Sequence, residues 1–160
     1  MRDDERDQQQ HDEGRNDPRP GEHRATVYPS PPVALSVIVP VWNDARALDR
    51  CLSALVADSG PGVDLMVVDD ASTDDSVAFL RARYPQVELL AGNENVGFCI
   101  SNNRLGDHAR GRFLLLLNND AALHPGALAT LMQEALRLRQ PAILGLPQYD
   151  AETGDLLDIG

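Results

Sequence analysis

The sequence contains no lysine; all 14 of its basic residues are arginine. A P-loop nucleotide triphosphatase needs a lysine at the β/γ-phosphates and Schiff-base chemistry needs an amine, so both classes are excluded. The same absence disfavours a phospho-receiver domain, which the acidic pair Asp69 and Asp70 would otherwise suggest. Aromatic residues make up 4%, and Trp42 is the single tryptophan. Two cysteines, Cys51 and Cys99, cannot build a disulfide framework or a four-cysteine zinc site. No His/Cys spacing suggests zinc, so buried thiols in a reducing cytosol are the plain expectation. No apolar run approaches the roughly 18 residues of a membrane span. The charged start MRDDERDQQQ has no apolar stretch behind it, unlike a secretory signal. A G-x-G-x-x-G after the first predicted strand is also missing, which argues against a dinucleotide oxidoreductase.

What is present fits one domain. A chain of 160 residues, 42% hydrophobic, can build one real core and not two of full size. Its net charge of −11 argues against a partner held mainly through phosphates, such as bulk DNA or RNA. Residues 1–32 carry eight acids, five arginines and five prolines, and after Met1 only Val27 and Tyr28 stand out as bulky apolar residues. Such a stretch buries too little surface to offset its ordering entropy, so a disordered acidic, Pro-rich tail is expected there.

From Val33 onward strands and helices alternate. Leu35 to Val41 is a β-branched apolar run, the mark of a strand covered on both faces. Asn43 or Asp44 can cap a helix with Leu48, Cys51, Leu52, Leu55 and Val56 at helical spacing. Asp64 to Val68 reads as a second strand, and Ser72 to Asp75 as a capping box for a helix that Pro85 stops. Val87 to Leu90 reads as a third strand, Cys99 to Ala109 as a helix, and Phe113 to Leu117 as a fourth strand. Pro125 is placed to start a last helix, and Ala142 to Leu146 would be a fifth strand. Alternation of this kind predicts an α/β fold, a mostly parallel sheet with helices on both faces.

Ligands of open α/β sheets bind at the carboxyl ends of the strands. Polar residues collect there: Pro40, Trp42, Asn43 and Asp44 after strand one, Asp69 to Asp74 after strand two, and Asn118 to Asp120 after strand four. Each group alone also fits turn and cap chemistry, and Trp42 fits a core or rim position. His108 and His124 fit ordinary surface positions. Together, one carboxylate can hold a ribose or base while another binds a hard divalent cation through oxygen. A metal-bridged nucleoside diphosphate suits an acidic protein without a glycine-rich phosphate loop.

Ser36 to Asn43 (SVIVPVWN), Val67 to Asp74 (VVDDASTD), Asn95 to Phe98 (NVGF) and Leu116 to Asp120 (LLNND) together resemble the family 2 glycosyltransferases of GT-A, Rossmann-like fold. The resemblance covers residues 35–147, and NVGF with Asn118, Asn119 and Asp120 is most similar to the rhamnosyltransferase and galactofuranosyltransferase branch. It implies that Pro40, Trp42 and Asn43 line a pyrimidine pocket and that Asp70, beside Asp69, bonds base or ribose. Asn95, Gly97 and Asn102 or Asn103 would shape the donor-sugar side. Asn119 and Asp120 would hold Mg²⁺ or Mn²⁺, with Asp120 the direct ligand. The implied reaction moves a sugar from a nucleoside-diphosphate sugar to a hydroxyl of a carbohydrate or lipid-linked glycan acceptor, with inversion. A cytoplasmic location is implied, with peripheral association at the inner face of the cell membrane left open, and polysaccharide synthesis is the expected setting.

Two departures from the family pattern stand out. The usual Asp-x-Asp reads Asn118-Asn119-Asp120, leaving one carboxylate. The family's catalytic base falls well downstream of that motif, so it is expected beyond Gly160 and no residue is assigned to it. Residues 33–160 are therefore expected to be the donor-binding part of a domain truncated at its C-terminus. The alternative is a nucleotide-sugar-binding fragment without transferase activity.

Overall fold

The structure is a computed structural model that describes residues 33–159. The tail expected over residues 1–32 lies outside them. Strand β1 (Leu35–Val41) is buried at all seven positions. It is flanked in parallel by β2 (Val63–Asp69) and β4 (Phe113–Leu116), and β3 (Glu88–Ala91) pairs with the far side of β2. The sheet order is β3-β2-β1-β4. The chain moves outward from β1 to β3 and then returns to the opposite side of β1. That reversal opens a crevice between the carboxyl ends of β1 and β4.

The pleat divides the core in two. Val37, Val39, Val41, Leu65, Val67 and their neighbours pack on α1 (Ala45–Asp58), α2 (Ser76–Arg83) and α4 (Ala127–Arg137). Ile38, Met66 and Val68 face the other way and pack on Leu105 of α3 (Phe98–His108). Helices thus cover both faces, as expected. Helix α1 buries Leu48, Cys51, Leu52 and Leu55, and Asp44 is its cap, accepting from the Ala47 amide at 3.0 Å.

Three expectations are corrected. Ala142 to Leu146 is irregular, and Ile143 is fully exposed. That segment lies between Pro141 and Pro147 and holds one β-branched residue, so little in it favours a paired strand. The chain instead forms a small antiparallel hairpin of β5 (Gln148–Tyr149) and β6 (Leu156–Asp158). Helix α4 starts at Ala127, two residues after Pro125, because the Asp58 carboxylate accepts from the Gly126 amide at 2.5 Å and the Leu128 amide at 2.9 Å. Helix α2 starts at Ser76 without the capping box; Asp74 accepts from the Ser76 amide at 3.0 Å, and the Ser72 hydroxyl is used elsewhere.

The amino ends of the strands are fastened together. The fully buried Ser36 hydroxyl donates to Asp64 at 3.1 Å and accepts from the Arg110 and Gly111 amides. Arg110 closes the group by pairing with Asp64 at 2.7 Å and Glu88 at 3.1 Å. A Cβ at Gly111 would come within 2.4 Å of the Ser36 amide nitrogen, so this approach needs glycine.

Candidate functional site

A cleft of about 390 Å³ lies at the carboxyl ends of the strands. It is lined by Pro40, Val41, Trp42, Asp70, Asn95, Gly97, Phe98, Ser101 and Asn119. Six of the expected site residues therefore meet: Pro40, Trp42, Asp70, Asn95, Gly97 and Asn119. They arrive from the ends of β1 and β2, from the β3–α3 loop and from the loop after β4. Trp42 is 58% exposed, so it stands over the cleft and is not a core residue.

The other expected residues lie behind or beside the lining. Asn43 takes a left-handed backbone, φ 53°, which asparagine tolerates better than most residues. Its side-chain oxygen accepts from the Thr73 amide at 2.7 Å and from the Thr73 hydroxyl and Asp74 amide at 3.3 Å. Its own amide donates to the Ser72 hydroxyl at 2.9 Å. Asn43 thus clamps the loop after β1 to the loop after β2. Asp69 is buried; one carboxylate oxygen accepts from the Ser72 amide at 3.0 Å, holding the turn through Ala71, itself at φ 59°. Asn102 is buried in α3 and donates to the Phe98 carbonyl at 2.9 Å, while Asn103 is exposed outside the lining.

Asp70 lines the cleft with its carboxylate already engaged. One oxygen accepts from the Val96 amide at 2.9 Å and the other from the Gly97 amide at 2.8 Å. Burial pushes its pKa up, but these two amides, the nearby Ser101 hydroxyl and the Arg104 charge outweigh it, and the pKa is lowered. Gly97, at φ 85°, turns the chain into α3 directly after this latch.

Asp120 is exposed in the turn closed by the Ala121 amide on the Asn118 carbonyl at 3.2 Å. It sits next to the lining residue Asn119, and the ion pairs among the described residues use other carboxylates. No group of three or more His, Cys, Asp or Glu side chains among the described residues could hold a metal. The available set is one carboxylate and one amide oxygen at the cleft edge. These are hard donors suited to a Mg²⁺-like ion that takes its remaining ligands from phosphate and water, so the residues fit such an ion.

The sequence reading missed Val41, Phe98 and Ser101. Phe98 and Ser101 are one helical turn apart, so the same face of α3 that follows Gly97 carries both to the cleft. That spacing after NVGF was the available signal. Phe98 is 59% exposed.

A four-stranded parallel sheet with its loops gathered into one cleft at the switch point defines an open α/β domain whose candidate site lies at the carboxyl ends of the strands. More particularly, the family model described as glycosyl transferase family 2 matches residues 36–156, and the chain belongs to that family. The chain is 32% identical over 115 residues to a Campylobacter jejuni GalNAc(5)-diNAcBac-PP-undecaprenol beta-1,3-glucosyltransferase, covering 63% of this chain and 34% of that protein. It superposes on Staphylococcus aureus TarS in complex with UDP-GlcNAc with a TM-score of 0.61 at 23% identity, over 66% of this chain and 32% of TarS. It superposes on the mannosyltransferase PcManGT of Pyrobaculum calidifontis, in complex with GDP-Man and Mn²⁺, with a TM-score of 0.58 at 27% identity, over 72% and 36% of the two chains. The match spans about a third of the length of the curated relatives, 36%, 30% and 29% in three of them. The sheet is the GT-A-type α/β architecture that the motifs implied.

Proposed function

We propose that this chain is the donor-binding part of a glycosyltransferase that moves a sugar from a nucleoside-diphosphate sugar to an acceptor hydroxyl with inversion. The observation that carries the reading is the meeting of four separate motifs at one cleft, through Trp42, Asp70, Gly97 and Asn119. Trp42 and Pro40 would receive the base, and the loop latched by Asp70 would face the donor sugar. Asp120 and Asn119 would hold Mg²⁺ or Mn²⁺ beside the diphosphate. When bound, the ion supplies positive charge to the departing nucleoside diphosphate. The neighbour crystallised with GDP-Man and Mn²⁺ supports a divalent ion as the companion of the donor.

The acceptor in this reading is a carbohydrate or lipid-linked glycan hydroxyl, supported by the undecaprenol-linked substrate in the Campylobacter relative's name. The donor type is that of the rhamnosyl and galactofuranosyl branch, supported by NVGF with Asn118, Asn119 and Asp120. We place the protein in the cytoplasm or peripherally at the inner membrane face. No helix among the described residues is long and apolar enough to cross a membrane.

A second reading, a nucleotide-sugar binder without transferase activity, is favoured by one observation. Among the described residues Asp70 is the only carboxylate lining the cleft, both its oxygens are engaged, and its pKa is lowered. A general base needs a pKa raised toward neutrality, so Asp70 is unsuited to that role. Calorimetry with UDP, dTDP and GDP, each with and without Mn²⁺, tests the site. Binding strengthened by Mn²⁺ and abolished by Asp120→Ala is expected; binding indifferent to that substitution would refute the placement. Turnover of nucleotide sugars by the 160-residue chain separates the two readings.

A further inference from the structure

Cys51 is fully buried on α1, and ordinary core packing accounts for its side chain on the apolar face of that helix. Its thiol also does something packing does not require. The sulfur lies 3.6 Å from the Asn118 carbonyl oxygen and donates to it. That carbonyl is the one that accepts from the Ala121 amide and closes the turn containing Asn119 and Asp120. One oxygen thus takes two donors, one from inside the turn and one from a helix 67 positions earlier in the chain.

We propose that Cys51 is a positioning residue for the Asn119–Asp120 edge of the cleft, fixing the turn's carbonyl from beneath so that both side chains are presented toward a cation and diphosphate. The proposal rests on the site reading given above. Its chemistry is that of a neutral S–H donor. Burial first, and the Asp120 charge second, push the thiol up to about 12, so it keeps its proton at every physiological pH. A thiolate would face a carbonyl oxygen and a nearby carboxylate and would repel both. The other cysteine, Cys99, is exposed on α3 and takes no part.

Two substitutions separate positioning from packing because they order oppositely. Cys51→Val is nearly isosteric and apolar, suits the buried face, and lacks a donor. Cys51→Ser keeps a donor but buries a more polar group with a shorter reach. Packing alone predicts Val at or above Ser in every measurement. Positioning predicts that Val keeps the wild-type Tm within a few degrees while Mn²⁺-dependent UDP binding weakens about fivefold, the factor of one weak hydrogen bond. Ser lowers Tm and holds UDP affinity within about twofold of wild type.

Amide hydrogen exchange on the full chain reads the turn without any ligand. The Ala121 amide exchanges faster in Cys51→Val than in Cys51→Ser, against the order of their Tm values. Exchange at Ala121 that follows the Tm order overturns the proposal. Asp120→Ala in the Cys51 background distinguishes the two levels. If it leaves Mn²⁺-dependent UDP binding unchanged, the site reading fails and the exchange result alone decides whether Cys51 holds the turn. If it abolishes binding while Cys51→Val does not weaken it, the site reading stands and the Cys51 proposal falls.

Discussion

Asp70 and Asn43 show how a short polar side chain at a strand end can serve another loop. Asp70 offers two charged acceptors to two consecutive amides, and charge-assisted bonds of this kind are the stronger class. In Asp70→Asn one acceptor becomes an N–H facing an N–H. A loss of about 2 kcal/mol is expected, with faster exchange at Val96 and Gly97. Because the folded pKa of Asp70 lies below its ordinary value of 3.8, its stabilisation is complete above that pH and is lost as pH falls through the folded value. The Tm difference between wild type and Asp70→Asn should therefore hold steady down to about pH 4 and shrink below it; a difference that vanished near neutrality would contradict the latch. Asn43 combines a left-handed φ with an acceptor used by two amides and a hydroxyl. Asn43→Gly relieves the backbone and loses the acceptor, Asn43→Asp keeps both, and Asn43→Ala keeps neither. Thermal melts should rank them Asp, Gly, Ala, with Ala lowest by about 1–2 kcal/mol.

Elements were legible in the sequence wherever their cause was local. Helix α1 follows from the spacing of Leu48, Cys51, Leu52 and Leu55 and from its own cap, Asp44. β1 follows from seven consecutive residues that suit burial on both faces. The start of α4 did not follow, because its capping group comes from Asp58, 68 positions before Gly126. Pro125 offered a plausible local start that a distant carboxylate overrode. Residues 142–146 misled in the opposite sense: an apolar run needs a sheet edge as well as hydrophobicity to become a strand. The site divided in the same way. Trp42, Asp70, Gly97 and Asn119 stood at strand ends or in motifs, whereas Ser101 lies outside every motif and reaches the cleft only through the helical turn of α3. Asp58→Ala should cost about 1–2 kcal/mol and expose the Gly126 and Leu128 amides to exchange. If those two amides stay protected, α4 has another cap.

At the scale of the whole molecule the sheet has two ends with different tasks. Its carboxyl end carries loops, left-handed residues and the cleft; its amino end is fastened by Ser36, Asp64, Arg110 and Glu88. Ser36 is the centre of that fastening, since one buried hydroxyl serves a carboxylate on β2 and two amides at the entry to β4. Ser36→Ala removes no volume that packing would miss, yet it leaves the Arg110 and Gly111 amides without their acceptor and leaves Asp64 Oδ2 with the Arg110 Nε donor at 3.3 Å alone. Unsatisfied buried groups cost about 1–3 kcal/mol each, with neighbouring water and the Arg110 guanidinium recovering part, so a net loss of about 2–4 kcal/mol is expected. The substitution lies at the far end of β1 from Pro40 and Trp42, and the strand between them is buried throughout. Destabilisation should therefore appear in the denaturant midpoint, while nucleotide affinity of the folded fraction stays within about twofold of wild type. A Ser36→Ala protein that kept its midpoint but lost nucleotide affinity would mean that the two ends of the sheet are coupled, and that the amino-end network belongs to the site.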